Sequence, residues 1–386
     1  MPLVDETEIH AIIENDILKT QQGDTVKRKK LIPTPLLILI DVVLIGAFLC
    51  VYALFHHVLN GSFRNGAGRA ADTPVRAVSV LPTPNPVPTT VPVESEGDGE
   101  PVVIDYGQFG EQFKEKFAAE GELVQTETLY MSHDIRVELS DDRMFDSDVH
   151  IVDIYVRNIE NLRTTFAGGS EVFDGTRARV LDMAEREHAV AALNGDYAGF
   201  MTGGEYVVLR NGVYFYSRPT RAVCVLYYDG RMETYWKPFN QTGDDFDLDE
   251  AMANGAWQIW SFGPALLDED GHANTLYDAN VYNPRSVLGY YEPGHYCFIT
   301  VDGRSSSNSG MNLDELAAMC ESYGLTQAFN LDGGGSSTLI FGGECVSYGS
   351  PNEPQRAVTD CIYIAETDGS IPSFWAQGDT GEEAEP

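Results

Sequence analysis

Positive charge is in short supply in this chain. Its 25 lysines and arginines face 59 aspartates and glutamates, a formal charge of −34. A surface so acidic repels phosphate backbones, so nucleic acid is not an expected partner. Cysteine is sparse and scattered: Cys50, Cys224, Cys297, Cys320, Cys345 and Cys361 contain no C-x-x-C pair, which excludes a zinc knuckle or a thioredoxin-type site. Cys50 lies in an apolar run, and the remaining five are an odd number; small core hydrophobes are expected in preference to disulfides. A histidine-rich metal centre is missing too, with His188 and His295 isolated, and no acidic spacing fits a Ca²⁺ loop. The G-K-[ST] ending of a Walker loop and the G-x-S-x-G nucleophile elbow are both absent. No metal or cofactor is therefore expected.

What remains is globular in composition, 43% apolar and 11% aromatic, well away from the disordered class. The longest apolar run, LLILIDVVLIGAFLCVYALF at 36–55, is about as long as a helix needs to cross a bilayer, with Asp41 its only charge. Four cations in VKRKK, 26–30, precede it, so that end is expected to stay cytoplasmic. The run exceeds the usual apolar core of a signal peptide, which favours an uncleaved anchor. Frequent prolines over 73–101 forbid a helix and favour a stiff, extended spacer. The expected organisation is a cytoplasmic tail (1–30), a transmembrane signal anchor (31–59), a Pro-rich stalk (60–104), an extracytoplasmic domain (105–367) and a disordered acidic tail (368–386).

Within the body, Phe109, Phe113 and Phe117 recur every fourth residue and predict an amphipathic helix over 109–121. DIRVELS and VHIVDIYVRN alternate as strands. Asn211-Gly212 and Asp229-Gly230 mark hairpin turns. MNLDELAAMCESYGL reads as a helix with Asn312 and Glu315 as its capping box and Gly324 at its stop. Three apolar strands end alike, in AALNGDY, FITVDGR and AFNLDGG, each with a carboxylate beside a glycine. Strand-end loops are where a rigid scaffold displays chemistry. A single Asp-Gly is usually a turn with polar decoration. DGGGSS is different, because three glycines cost chain entropy and supply no packing. Asp332 would point into a pocket, the amides of Gly333, Gly334 and Gly335 would face an anion, and Ser336 and Ser337 would donate hydrogen bonds. Arg285, Arg304 and Arg356 stand near these loops; each suits phosphate oxygens or a surface ion pair equally.

The blocks LNGDYAGF, RNGVYF, SFGPALL, NPRSVLG, VDGRSSSNSGMNLDELA, LTQAFNLDGGGSSTL and EPQRAV occur in this order, and over about 123–366 the chain resembles the phosphodiester glycosidase domain family. That family takes in the lysosomal uncovering enzyme and bacterial proteins associated with exopolysaccharide. The resemblance implies hydrolysis of a sugar-1-phosphodiester, with a sugar-phosphate glycan as substrate. In that reading Asp332 works at the anomeric carbon and Asp302 is the second acid or base. Asn194 and Asp196 hold sugar hydroxyls, and Arg285, Arg304 and Arg356 hold the phosphate. Ser336 and Ser337 supplement the amides of Gly333, Gly334 and Gly335. The same loops could instead belong to a glycan-binding module that does not cleave. The expected fold is mixed α+β, a largely antiparallel sheet with packed helices, preceded by one transmembrane helix.

Protease added to intact cells is expected to remove the folded domain and spare residues 1–22; digestion of 1–22 with the domain protected would reverse the orientation.

Overall fold

A strand buried on both faces reads as an unbroken apolar run rather than an alternating one, and this explains the strands of this chain. In His295–Val301, Tyr296 and Phe298 enter a central core while Cys297, Ile299 and Val301 enter a second cluster behind it. In Val223–Tyr227 and Asp360–Ile364 the same two-fold split divides Cys224 and Leu226 from Val225, and Ile362 and Ile364 from Cys361 and Tyr363. The computed structural model describes residues 107–196, 198, 206–218, 221–235, 246–276, 281–349 and 354–376, with the backbone of strands at 78–79, 90–93 and 102–105. Contacts divide the chain into Met1–Ala70 and Ala71–Pro386, and every described residue belongs to the second unit.

Its strands form antiparallel sheets with few helices. A seven-stranded sheet runs Gln327–Asn330, Arg285–Glu292, His295–Val301, Ser147–Val156, Ile135–Met144, Leu129–Met131, Val124–Gln125. A five-stranded sheet runs Glu344–Ser347, Leu339–Phe341, Ala191–Asn194, Asp360–Ile364, Leu162–Phe166. A six-stranded sheet holds both predicted hairpins, and Asn211 and Gly212 take the positive φ of 51° and 73° that their turn requires. The expectation of one sheet is thus corrected to three large sheets that share the central core, besides a two-stranded ladder, Thr90–Val93 with Val102–Asp105.

Each sheet has a short helix over its second face. Leu313–Ser322 sets Leu316, Met319 and Cys320 against the seven-stranded sheet. Val180–Arg186 sets Val180 and Met183 against the five-stranded sheet, and Leu248–Ala253 sets Ala251 against the six-stranded one. Both halves of the predicted capping box are present: Glu315 N–H donates to Asn312 Oδ1 at 2.8 Å, and Asn312 N–H to Glu315 Oε2 at 3.3 Å. The five cysteines among the described residues are free, and all but Cys345 are buried.

Two expectations along the chain need correction. The segment 109–121 is not a helix but a set of turns with one 3-10 turn at Lys114–Lys116. Phe109 and Phe113 are buried as the spacing implied, but backbone bonds to the sheet loops, Phe109 N–H to Arg157 C=O and Ala118 N–H to Ser132 C=O, displace the helical pattern. Within the expected stalk, Val78–Ser79 pairs with Val213–Ser217 and Thr90–Val93 with Val102–Asp105. The acidic tail is folded as far as Ala376: Phe374 packs on the core, and the Trp375 indole N–H donates to Ala189 C=O at 2.9 Å. The expected span at 36–55 lies outside the described residues; among those described, no helix is long and apolar enough to cross a membrane.

Because Glu315 is occupied in capping, Glu315→Gln is expected to cost about 1 kcal/mol or less in stability and to leave the catalytic rate near wild type. A large fall in rate at unchanged stability would place Glu315 in the site.

Candidate active site

The glycine-rich loop is a crossover between sheets. Gln327–Asn330 belongs to the seven-stranded sheet, and Leu339–Phe341, a few residues later, belongs to the five-stranded one. In between, Asp332 leads into a 3-10 turn at Gly334–Ser336. The chain changes sheets while passing beneath two arginines. A Cβ on Gly334 would stand 2.8 Å from Arg304 Nη2, and one on Gly335 would stand 2.7 Å from Arg356 Nη2. Gly334 also has a φ of +63° and donates its N–H to Pro284 C=O at 2.9 Å. A Cβ on Gly333 would lie 2.8 Å from that same Pro284 oxygen. Any side chain here would push against backbone or a guanidinium, which is why glycine recurs.

Around this loop the structure gathers Asp332, Gly333, Gly334, Gly335, Ser336, Arg304 and Arg356. Arg304 and Arg356 are exposed. Arg304 Nη2 donates to Asn283 Oδ1 at 3.0 Å, and Arg356 Nη1 to Ser336 Oγ at 3.3 Å. Asp332 is held at its backbone: its N–H donates to Gly195 C=O at 3.4 Å, and its C=O accepts from Asn194 Nδ2 at 2.7 Å. Burial raises the Asp332 pKa above its ordinary value; the Ser336 hydroxyl and the Arg356 charge oppose the rise without cancelling it. Ser337 is fully buried behind the turn, and its hydroxyl has no protein partner among the described residues.

Other predicted site residues take different places. Asn194 was expected to hold sugar hydroxyls, yet it is fully buried and spends its amide internally. Its Nδ2 donates to the carbonyls of Asp332 and Gly195, and its Oδ1 accepts from Ser286 Oγ at 2.7 Å and Thr338 N–H at 3.0 Å. Those bonds use both donors and both lone pairs of the side chain. Asp196, expected beside it as a sugar ligand, is 0% exposed at its side chain and pairs with Arg210 at 2.7 Å, and Arg210 pairs with Asp360 at 3.1 Å. The remaining Asp196 oxygen accepts from Ser261 N–H at 2.6 Å. Arg285, expected at the phosphate, is 8% exposed and donates to the carbonyls of Met311 and Val281 at 2.8 and 2.9 Å. It braces the loop before the Arg285–Glu292 strand, because backbone carbonyls reached it first.

Asp302 stands beside Arg304 and has its carboxylate engaged by residues outside the glycine loop. Its Oδ1 accepts from Ser347 Oγ at 2.6 Å, and its Oδ2 lies 3.6 Å from His150 Nε2. The 302–310 segment is stapled to the 135–156 hairpin: Arg143 bonds Asp148, Asn308 and Ser307, and Asn308 bonds Asp148. Sequence reasoning missed Arg210, Asp360, His150 and Asn283. A signal for two of them was present: Arg210 is a lone cation in the apolar run VVLR, and Asp360 opens the apolar run DCIYI. His150 had none, because in VHIVDIYV it looks like an exposed position of an alternating strand.

Gly335→Ala is expected to fold and to move the Arg356 guanidinium off the loop, raising KM for a phosphate-bearing ligand with little change in stability. Gly334→Ala also meets a positive φ and is expected to cost about 1 kcal/mol or more. Unchanged ligand affinity in both variants, measured by calorimetry, would show that the arginines do not face the ligand.

Residues 187–365 match the family model for phosphodiester glycosidase. The SPbeta prophage-derived uncharacterized protein YomE of Bacillus subtilis is 31% identical over 208 residues, covering 51% of this chain and 31% of that protein. The N-acetylglucosamine-1-phosphodiester alpha-N-acetylglucosaminidase of Bos taurus is 37% identical over 71 residues, 18% of this chain and 13% of that protein. The chain therefore spans about a third or less of the length of these relatives. The zebrafish N-acetylglucosamine-1-phosphodiester alpha-N-acetylglucosaminidase catalytic domain, solved in a form auto-inhibited by its pro-peptide, superposes with a TM-score of 0.47 at 22% identity, over 64% of this chain and 87% of that one. The loops described above, from Asn194 to Arg356, fall inside the stretch, residues 187–365, that matches the phosphodiester glycosidase family model.

Proposed function

We propose that this chain is a membrane-anchored, extracytoplasmic hydrolase that cleaves the glycosyl–phosphate bond of a sugar-1-phosphodiester in an envelope or exopolysaccharide glycan. The observation that carries the reading is the pair of exposed guanidiniums, Arg304 and Arg356, lying against consecutive glycines beside the half-buried carboxyl of Asp332. A phosphate leaving group needs its developing charge held more than it needs a strong acid. Two arginine forks can hold it, and the glycines let it approach closely. The anomeric carbon becomes cationic as the C–O bond breaks, and a carboxylate beside it stabilises or captures that charge. Water supplies the oxygen of the released sugar, and the phosphate leaves as a monoester on the partner glycan. Asp332 is the carboxylate in this scheme. Asn194 and Asp196 shape the loop from behind, and Arg285 and Asp302 support it.

Asp332→Asn is expected to fold normally and lose nearly all release of free sugar from a sugar-1-phosphodiester. Arg304→Ala is expected to lose roughly 2–4 kcal/mol of transition-state stabilisation, as for a deleted oxyanion donor. A substrate with a better leaving group should partly rescue Arg304→Ala and not Asp332→Asn. The wild-type rate should fall as pH drops through the raised Asp332 pKa, so this acid limb lies above the ordinary value of 3.8. A wild-type chain that retains the substrate and releases no sugar would be a binding module.

A further inference from the structure

The carboxylate of Asp302 and the guanidinium of Arg304 leave the same short corner for different partners. Arg304 goes to the glycine loop with its backbone at a φ of +55°, a conformation costly for a residue with a side chain. Such a corner needs an external hold. Part of it is Gly303 N–H donating to Gly349 C=O at 3.2 Å. Asp302 N–H also donates to Asp148 C=O at 3.0 Å, Asn308 ties the segment to Arg143 and Asp148, and the Asp302 carboxylate adds a bond from Ser347 of the five-stranded sheet and an ion-pair contact at 3.6 Å with His150 of the seven-stranded one. His150 is only 16% exposed at its side chain, and its other ring nitrogen, Nδ1, lies 2.6 Å from Asp141 Oδ1. The imidazole is thus set between two carboxylates, one on each ring nitrogen. A neutral imidazole can bond Asp141 but carries no charge for Asp302; an imidazolium donates to Asp141 and attracts the Asp302 carboxylate across 3.6 Å.

We propose that His150 is a positioning residue that acts as an imidazolium: bridging Asp141 and Asp302, it pins the corner that carries Arg304 over Gly334, so that losing its proton loosens the phosphate-binding face of the site. This rests on the function proposed above. His150 lies outside residues 187–365, so the control belongs to a part of the chain that the family match does not cover.

The groups facing His150 favour the charged ring. Asp141 lies directly opposite on the Ile135–Met144 strand, and neutral Thr300 lies opposite on His295–Val301, two residues before Asp302. Asp148, two residues earlier on its own strand, is already paired to Arg143 at 2.6 Å. Burial is the largest single influence on His150 and pulls its pKa down, but the hydrogen bonds and charges of Asp302 and Asp141 together outweigh it and hold the pKa above 6.5. With the folded pKa raised, the stabilisation is complete below the unfolded value and is lost as pH rises through the folded one.

The test follows the corner itself. Amide resonances of Gly303 and Arg304 in the full chain should move together with the His150 ring protons as pH rises, and stay fixed in His150→Gln. Turnover on a sugar-1-phosphodiester should fall along the same curve. His150→Gln should be slower below that midpoint, by a few-fold on the scale of one partly buried ion pair, and should lack the alkaline limb. Should His150→Gln not fold, Asp141→Asn, which changes an exposed side chain, must lower the His150 midpoint by itself. Amides that stay fixed in the wild-type chain, or a His150→Gln variant with the wild-type limb, would overturn the proposal. Moving amides in a chain that turns over no sugar phosphodiester would leave the His150 assignment standing and count against the hydrolase reading.

Discussion

The site depends on one buried amide. Asn194 ends a strand of the five-stranded sheet, and its side chain reaches Ser286 in the seven-stranded sheet, the carbonyl of Asp332 and the amide of Thr338 on the far side of the glycine loop. Both sheets and both ends of the crossover are therefore referred to a single planar group. A buried amide with every position satisfied is rigid, and each partner would be left with an unpaired polar group if the side chain were shortened. Rigidity at this point matters because Asp332 has no strand of its own to hold it.

Behind Asn194 lies a second constraint of a different kind. Arg210, Asp196 and Asp360 are fully buried, two acids on one cation. Gly195 must be glycine, because a Cβ there would collide with the Asp360 carboxyl. Burial first and then the charge of Asp196 push the Asp360 pKa upward, so the folded chain holds this proton more tightly than the unfolded one. The associated stability falls as pH rises. Removing one member of such a cluster leaves charge unpaired in the interior, a larger loss than the pairing itself is worth. The cluster shapes the 194–196 turn, and through it the position of Asn194.

In front of these two constraints the loop is nearly all backbone. Its glycines let Arg304 and Arg356 lie directly on the main chain, with Ser336 bridging Arg356 and Asp332. Both cations arrive from elsewhere, Arg304 from the end of the His295–Val301 strand and Arg356 from the segment before Asp360–Ile364. The corner that carries Arg304 is bonded in turn to the hairpin at 135–156, where Asp148 accepts from Asp302 N–H and from Asn308.

By itself the sequence determined what local chemistry controls. Asn211-Gly212 and the Asn312–Glu315 capping box are short-range signals, and they appear where expected. Apolar strands ending in a carboxylate and a glycine located the loops, since a triple glycine between buried strands has no packing reason to exist. Tertiary structure alone decided what each polar side chain touches. Asn194, Asp196 and Arg285 look like ligand-binding residues in sequence, but partners far along the chain, Thr338, Arg210 and Met311, claim them. Spacing of the phenylalanines near 109 reported burial and not helix, because the sheet loops took the backbone bonds. Hydrogen bonds and charges act across space within a few ångströms, whatever the separation in sequence, so the division between site wall and scaffold became visible only once the sheets were assembled.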